Sequence, residues 1–211
     1  MSRVFFNVPN VIGYVRVVLL VGACFFALDA PVVFIVLYSL SYILDILDGL
    51  TARWLDQRSR FGAALDMVID RSSTSCLLAI LAICYKQAAP LFFVLIMLDV
   101  SSHYVHMLAS EERLHKATSR AEHGALLHLY YSSPAFLFVL VLAHELTALT
   151  LYAYSFIPGP LVDAVRVTLQ APSAWWQPVF ALFLLIGLPL AVLKTGISVI
   201  QLQRAFRRLA G

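Results

Sequence analysis

The stretch D-I-L-D-G-L-T-A-R-W-L-D-Q-R-S-R-F-G-A-A-L-D-M-V-I-D, from Asp45 to Asp70, carries two pairs of aspartates in an otherwise strongly apolar chain. Asp45 and Asp48 form the first pair, and Asp66 and Asp70 form the second. On an α-helix, spacings of three and four residues put both members of a pair on one face. We therefore expect two helices, joined by the short polar link 54–60, that bring four carboxylates together.

Beyond this stretch, the composition is that of a membrane protein. The 211 residues are 61% hydrophobic and 13% charged, with a mean hydropathy of +0.86, whereas an average soluble domain is about 25% charged. Most of the chain must lie in lipid, and its length suits roughly six membrane helices of ~20 residues each. The sequence predicts an all-α bundle of six transmembrane helices that forms one domain over residues 1–211. The apolar runs are 11–28, 32–44 (continuing as helix towards Arg53), 61–85, 91–109, 129–154 and 179–202.

Basic residues indicate the orientation of this bundle. Six spans place both termini on one side, and cytosolic loops carry an excess of Lys and Arg. The side shared by the termini would carry ten such residues and the opposite side two, Lys86 and Arg166. We therefore predict cytosolic termini, with the four aspartates at the cytosolic edge of the membrane. The ten residues are Arg3, Arg53, Arg58, Arg60, Arg113, Lys116, Arg120, Arg204, Arg207 and Arg208.

The two aspartate pairs would face each other across an antiparallel helix pair, because one pair closes the second span and the other begins the third. Gly49, Ala52 and Gly62 are small enough to let helices or a ligand approach closely. Carboxylates so close together repel one another and are costly to desolvate, so the arrangement is sensible only if cations fill it. An all-oxygen donor set favours Mg²⁺ or Mn²⁺ over zinc.

Two other interpretations of the acids stay open at this stage. They could pair with arginines and merely stabilise the bundle, or they could form the cation site of a membrane carrier. A carrier would favour broken helices near the midplane of the bilayer, whereas these acids lie near one edge. A metal beside an arginine at that edge suits a phosphate or pyrophosphate, with a spare carboxylate to take a proton from an attacking hydroxyl. The candidate pairing arginines are Arg53, Arg58, Arg60 and Arg71.

Other polar residues near or within the apolar runs have two explanations each. Arg16 needs a partner or a cavity. Asn10 and Arg16 either contact a nucleotide or cap and pair the first helix. Arg71 either binds a substrate phosphate or pairs with an acid. Three more residues share one face of the fourth span and form either a polar wall for the hydroxyls of an acceptor or an interhelical hydrogen-bond network. These three are Asp99, His103 and His106.

The Asp45–Asp70 stretch matches the signature D-x2-D-G-x2-A-R-x8-G-x3-D-x3-D. By this signature the chain resembles the CDP-alcohol phosphatidyltransferase family. Further segments are similar to the eukaryotic phosphatidylinositol synthases within that family: V-P-N-V-I-G-Y-V-R (8–16), L-D-V-S-S-H-Y-V-H (98–106) and Y-Y-S-S-P-A (130–135). The fixed positions of the signature are Asp45, Asp48, Gly49, Ala52, Arg53, Gly62, Asp66 and Asp70.

The resemblance implies six transmembrane helices, usually in a homodimer, in the endoplasmic reticulum or another endomembrane, with a polar cavity open to the cytosol. It implies transfer of the phosphatidyl group of CDP-diacylglycerol to myo-inositol, with release of CMP, with Mg²⁺ or Mn²⁺ as cofactor and with no nucleic-acid partner. The same signature fits relatives that use choline, ethanolamine, glycerol phosphate or serine, so the identity of the acceptor depends on the wider similarity.

The resemblance also implies a role for each site residue. Asp70 would be the general base and would lie at or near the metal. The metal ligands would be Asp45, Asp48, Asp66 and Asp70. The contacts to CDP-diacylglycerol would come from Gly49, Arg53 and Ser59. Three further substrate-binding candidates are Asn10, Arg71 and His103.

Overall fold

The computed structural model describes residues 2–113, 133–156 and 176–210, and this part of the chain is helical without strands. A short helix α1 precedes six long ones. The helices are α1 (Ser2–Phe5), α2 (Val8–Phe26), α3 (Pro31–Trp54), α4 (Arg60–Cys84), α5 (Ala89–Arg113), α6 (Pro134–Ser155) and α7 (Trp176–Ala210), with a 3₁₀ turn at Lys86–Ala88.

Within the described residues, six helices are long and apolar enough to cross a membrane, as the sequence predicted. Their windows of highest hydropathy are only 22–39% buried inside the chain. Large side chains such as Val18, Phe25, Leu185 and Val192 are accordingly more than two-thirds exposed. Lipid contact accounts for this exposure, because helices with satisfied backbone groups can present apolar side chains to hydrocarbon.

Several helix ends differ from the predicted runs, chiefly because polar residues extend the helices. Pro9, Pro31 and Pro134 lie in the first turns of α2, α3 and α6, where proline lacks only an amide proton that has no helical partner. The predicted start of the fifth run, at Leu129, lies outside the described residues, and α6 begins at Pro134. Helix α7 runs on to Ala210 and measures about 52 Å at 1.5 Å per residue. Of the charged residues used to predict orientation, Lys116, Arg120 and Arg166 lie outside the described residues.

The chain divides into two compact units, Met1–Ile80 and Leu81–Gly211, and helix α4 crosses their boundary. In the first unit, α2 packs along α3. Buried Phe34 and Tyr38 stack with ring centroids 5.5 Å apart. Gly13 of α2 lets α4 approach, since a Cβ at this position would lie 3.2 Å from the Leu65 side chain. This packing aligns α2 with the ends of α3 and α4 that carry the aspartates.

The link between α3 and α4 is a fixed turn. Asp56 has φ of 51°, in the left-handed region that Asp and Asn occupy more readily than most residues. The amide of Gln57 donates to the carbonyl of Ala52 at 3.1 Å, which closes α3 in a Schellman arrangement. Ser59 then caps α4, because its Oγ accepts from the amide of Gly62 at 2.9 Å. The polar link is therefore tied to the helix at each of its ends.

In the second unit, α7 packs against both α5 and α6. Leu140 and Ile197 form one buried contact, and Val105 and Ala205 form another. Elsewhere in this unit, Tyr85 donates its hydroxyl to the carbonyl of Leu151 at 2.7 Å. Burial raises the pKa of the Tyr85 phenol above its ordinary value, so this donor keeps its proton.

Candidate active site

Three of the four aspartates converge in the first unit. Asp45 and Asp48 come from the later turns of α3, and Asp66 comes from the second turn of α4. Each contributes one carboxylate oxygen, and these three oxygens lie within 4.8 Å of one another. Because α3 and α4 are connected by the capped turn, these residues approach one another from two helices, as the sequence predicted.

Arg16 of α2 lies at the centre of the acidic cluster. Its Nη1 is 2.7 Å from Asp45 Oδ1, 2.7 Å from Asp48 Oδ2 and 2.8 Å from Asp66 Oδ1. Its Nη2 is 2.6 Å from Asp70 Oδ1. The Arg16 side chain is only 3% exposed. A single guanidinium thus contacts all four carboxylates, three of them through one nitrogen atom.

Sequence reasoning anticipated that Arg16 needs a partner and gave nucleotide contact as one of its explanations, but it did not place Arg16 among the four aspartates. The sequence analysis considered four other arginines as partners for the aspartates. Arg53, Arg58 and Arg60 are exposed and make no ion pair within the described residues, while a guanidinium nitrogen of Arg71 lies 4.0 Å from Asp70 Oδ2. The aspartates do pair with an arginine, but that arginine belongs to α2, which is distant in sequence. The available signal was the charge of Arg16 within an apolar run.

A cavity of about 250 Å³ opens beside the acidic cluster in the same unit. Asp48 and Asp66 belong both to the cluster and to the cavity wall. Asp45, Asp70 and Arg71 lie outside the wall, and His103 belongs to the other unit. Of the residues predicted to bind substrate, those in the wall are Asn10, Gly49, Arg53 and Ser59. Wall residues that sequence reasoning did not select include Pro9, Gln57, Arg58 and Ile69.

The cavity wall offers donors suited to an anion. Arg53 is exposed, and its guanidinium lies over Gly49, where an added Cβ would be 3.6 Å from Nη1. That distance is an ordinary contact, so the protein itself does not exclude a side chain at position 49. The absence of one leaves room for a ligand beside the arginine. Arg58 adds a second exposed guanidinium to the wall.

Asn10 explains the glycine at position 62. A Cβ on Gly62 would lie 2.8 Å from the Oδ1 of Asn10 and 3.1 Å from the Oγ of Ser59. Asn10 is 3% exposed, and its Nδ2 donates to the carbonyl of Val4 at 2.5 Å. Its side chain therefore holds the N-terminal segment beside the first turn of α4 while forming part of the cavity wall.

Asp99 and His103 make contacts within the second unit. Lys194 Nζ of α7 lies 2.7 Å from Asp99 Oδ1, and both side chains are 6–7% exposed. His103 Nδ1 is 2.8 Å from the Asp99 carbonyl and 3.7 Å from Oδ1 of the same residue. Asp99 thus makes an interhelical contact, as one of the two sequence-based explanations requires, while these contacts of His103 lie within α5. A role for His103 towards an acceptor stays a prediction.

The donor set fits a divalent cation. The site already surrounds one positive charge with oxygen atoms, and a single guanidinium leaves four carboxylates far from neutral. One carboxylate oxygen from each of Asp45, Asp48 and Asp66 lies within 4.8 Å of the other two, so these three residues would hold the ion and supply the oxygen ligands that Mg²⁺ and Mn²⁺ prefer.

Comparison with known protein families gives a match over most of the chain. The family model described as CDP-alcohol phosphatidyltransferase matches residues 6–157. The chain therefore belongs to the CDP-alcohol phosphatidyltransferase family.

Curated relatives extend the similarity along the whole chain. A protein of Rattus norvegicus is 40% identical over 99% of this chain and 93% of its own length. A Homo sapiens protein is 39% identical with the same coverage, and one of Saccharomyces cerevisiae is 38% identical over 99% of this chain and 88% of its own length. All three are named CDP-diacylglycerol–inositol 3-phosphatidyltransferase. No solved structure matches the chain.

Proposed function

We propose that this chain transfers the phosphatidyl group of CDP-diacylglycerol to myo-inositol and releases CMP. The relatives that cover nearly its full length carry the name of that activity. The structural observation that carries the proposal is the sharing of Asp48 and Asp66 between the convergent carboxylates and the wall of the cavity. This arrangement sets a cation site directly beside a pocket lined with arginines.

Asp45, Asp48 and Asp66 would hold Mg²⁺ or Mn²⁺, with Asp70 as a further ligand or neighbour. A divalent ion bound there would neutralise pyrophosphate oxygens and stabilise CMP as the leaving group. Arg53 would donate to non-bridging oxygens of the CDP group, and Gly49 would let that group approach the backbone of α3. Ser59, whose Oγ already accepts from Gly62, still has a hydroxyl proton to donate. Asn10 and Arg71 are further candidates for contact with substrate.

Asp70 would act as general base. It stands on the Nη2 side of Arg16, apart from the three carboxylates that share Nη1. A hydroxyl oxygen of inositol forms a bond to the lipid-side phosphorus, and its proton passes to the Asp70 carboxylate. The bond between that phosphorus and the bridging oxygen breaks, and CMP leaves with the electron pair. Asp70 afterwards returns the proton to solvent.

The cellular setting belongs to the same proposal. An excess of basic residues on the side of the termini favours an active site that faces the cytosol, where inositol is in solution, while the acyl chains stay in the bilayer. The chain would act as one catalytic domain. From the family resemblance we also propose that it forms a homodimer. We place the protein in the endoplasmic reticulum or another endomembrane on the same basis.

A panel of acceptors tests the proposal. Membranes that contain the chain are given CDP-diacylglycerol and Mn²⁺ or Mg²⁺, with inositol, choline, ethanolamine, glycerol phosphate or serine, and CMP release is measured. We expect release that depends on inositol and stops with EDTA. Release that depends on another acceptor would reassign the substrate within the family. Ion flux into liposomes without any CDP-lipid would instead support a cation carrier.

A further inference from the structure

The position of Arg16 has a consequence for metal binding. Its Nη1 contacts one oxygen from each of Asp45, Asp48 and Asp66 at 2.7–2.8 Å. These three residues are the ones whose oxygens converge as a candidate metal site. The nitrogen therefore occupies the volume that an ion bound to the same oxygens would fill, since metal–oxygen distances are shorter still, at about 2.0–2.6 Å.

The charge balance explains why a cation is needed there. Four carboxylates lie around one guanidinium, and Asp48 is itself 8% exposed. Carboxylates held together without a cation repel one another, and each is costly to remove from water. Arg16 is 2% exposed on a membrane helix, and it could not be placed there without anionic partners. The acids and the arginine thus stabilise each other when no metal is bound.

We propose that Arg16 is an internal counter-cation of the acidic centre, which holds the carboxylates together in the metal-free protein and competes with the divalent ion for their oxygens. This inference rests on the proposed metal-dependent function. Binding of the ion displaces Nη1 from the shared oxygens, because two cations cannot occupy the same position. The competition lowers the affinity of the site for the divalent ion, while the same contacts keep the four carboxylates together when no ion is bound. Arg16 is accordingly a positioning residue.

The competition predicts opposite effects of removing Arg16 on stability and on metal affinity. The variant Arg16→Gln should lower the melting temperature of the purified full-length chain in EDTA. It should also bind Mn²⁺ about tenfold more tightly than the wild type, because the ion no longer displaces a cation. If Arg16 had a merely structural role, its substitution would lower the melting temperature without increasing the affinity for Mn²⁺. The matched control is Arg60→Gln, which removes an exposed positive charge at the start of α4.

The experiment measures free Mn²⁺ by electron paramagnetic resonance in detergent, with no CDP-lipid present. Weaker or unchanged Mn²⁺ binding in Arg16→Gln, relative to wild type and Arg60→Gln, would overturn the proposal. If Arg16→Gln does not fold, Arg16→Lys replaces it. A lysine keeps the charge but offers one nitrogen for four carboxylates, so Mn²⁺ should again bind more tightly than to wild type, and weaker or equal binding overturns the proposal. Because no turnover is measured, absence of inositol-dependent CMP release would refute the proposed function and leave this result standing.

Discussion

Lys194 and Asp99 form a buried ion pair in the second unit, with Nζ 2.7 Å from Oδ1. The pair joins α7 to α5. A serine lies one turn after each partner. Ser102 donates its hydroxyl to the carbonyl of Asp99, and Ser198 donates to the carbonyl of Lys194. Both serines are at most 3% exposed. Charges inside membrane segments usually require such a partner. The two helices are therefore held by electrostatics as well as by apolar packing.

Removing one partner of this pair should destabilise the chain strongly. Lys194→Met leaves a buried carboxylate without its cation, and we expect a loss of about 3–5 kcal/mol in the free energy of unfolding. The measurement is denaturant-induced unfolding in detergent. The double variant Lys194→Met with Asp99→Leu should recover most of the loss, and exposed Lys86→Met is the matched control. Equal stability of Lys194→Met and Lys86→Met would contradict the importance of the pair.

Gly187 should be intolerant of any side chain, because α6 crosses α7 closely at this point. A Cβ on Gly187 would clash with Thr147 Oγ1, and Oγ1 itself donates to the carbonyl of Ala143. We expect Gly187→Ala to cost about 1–3 kcal/mol through overpacking, measured by thermal unfolding in detergent.

Two variants serve as controls for this crossing. Gly196→Ala lies on the same helix with no atom within 4 Å of the added Cβ, and it should be neutral or slightly stabilising. Adding Thr147→Ala to Gly187→Ala removes the clashing hydroxyl and should restore stability. If the double variant is no more stable than Gly187→Ala alone, the clash is not the cause of the loss.

Gln57 should control the affinity for CDP-diacylglycerol through the shape of the cavity. Its Oε1 accepts from the amide of Val8 at 3.0 Å, so it ties the turn after α3 to the first turn of α2 while lining the cavity wall. Gln57→Ala should raise KM for the CDP-lipid roughly fivefold, in line with the loss of a hydrogen bond worth ~1 kcal/mol, with a smaller effect on kcat. Gln57→Glu keeps an acceptor for the Val8 amide but adds a negative charge to a wall that would bind an anion, so its KM should also lie above that of wild type. A fall in kcat alone would argue against this positioning role.

Asp70→Asn should remove the general base while preserving the fold. The amide keeps the size of the carboxylate but cannot take the proton of the attacking hydroxyl, so we expect kcat to fall by about 100-fold or more. Thermal unfolding and Mn²⁺ binding, measured on the same preparation, separate loss of the base from loss of structure or metal. Turnover close to wild type would remove Asp70 from this role.

Local patterns were enough to predict the six spans and the convergence of the acids. Long apolar runs specify membrane helices, and three- and four-residue spacings fix which face of a helix a residue occupies. The pairing of Arg16 with Asp70 and of Lys194 with Asp99 could not be predicted in this way, because it depends on which helices pack together. The turn at Asp56 could not be predicted either, because its left-handed backbone conformation forms without a glycine that would mark it in the sequence.

The most direct test of the account follows radiolabelled inositol into lipid. The purified chain, in vesicles that contain CDP-diacylglycerol and Mn²⁺, should convert labelled inositol into a solvent-extractable phospholipid, with one CMP released per inositol incorporated. Incorporation should stop in EDTA and in Asp70→Asn. Release of CMP without incorporation of inositol, or no metal-dependent release at all, would contradict the central claim that the acidic centre and its cavity transfer a phosphatidyl group to inositol.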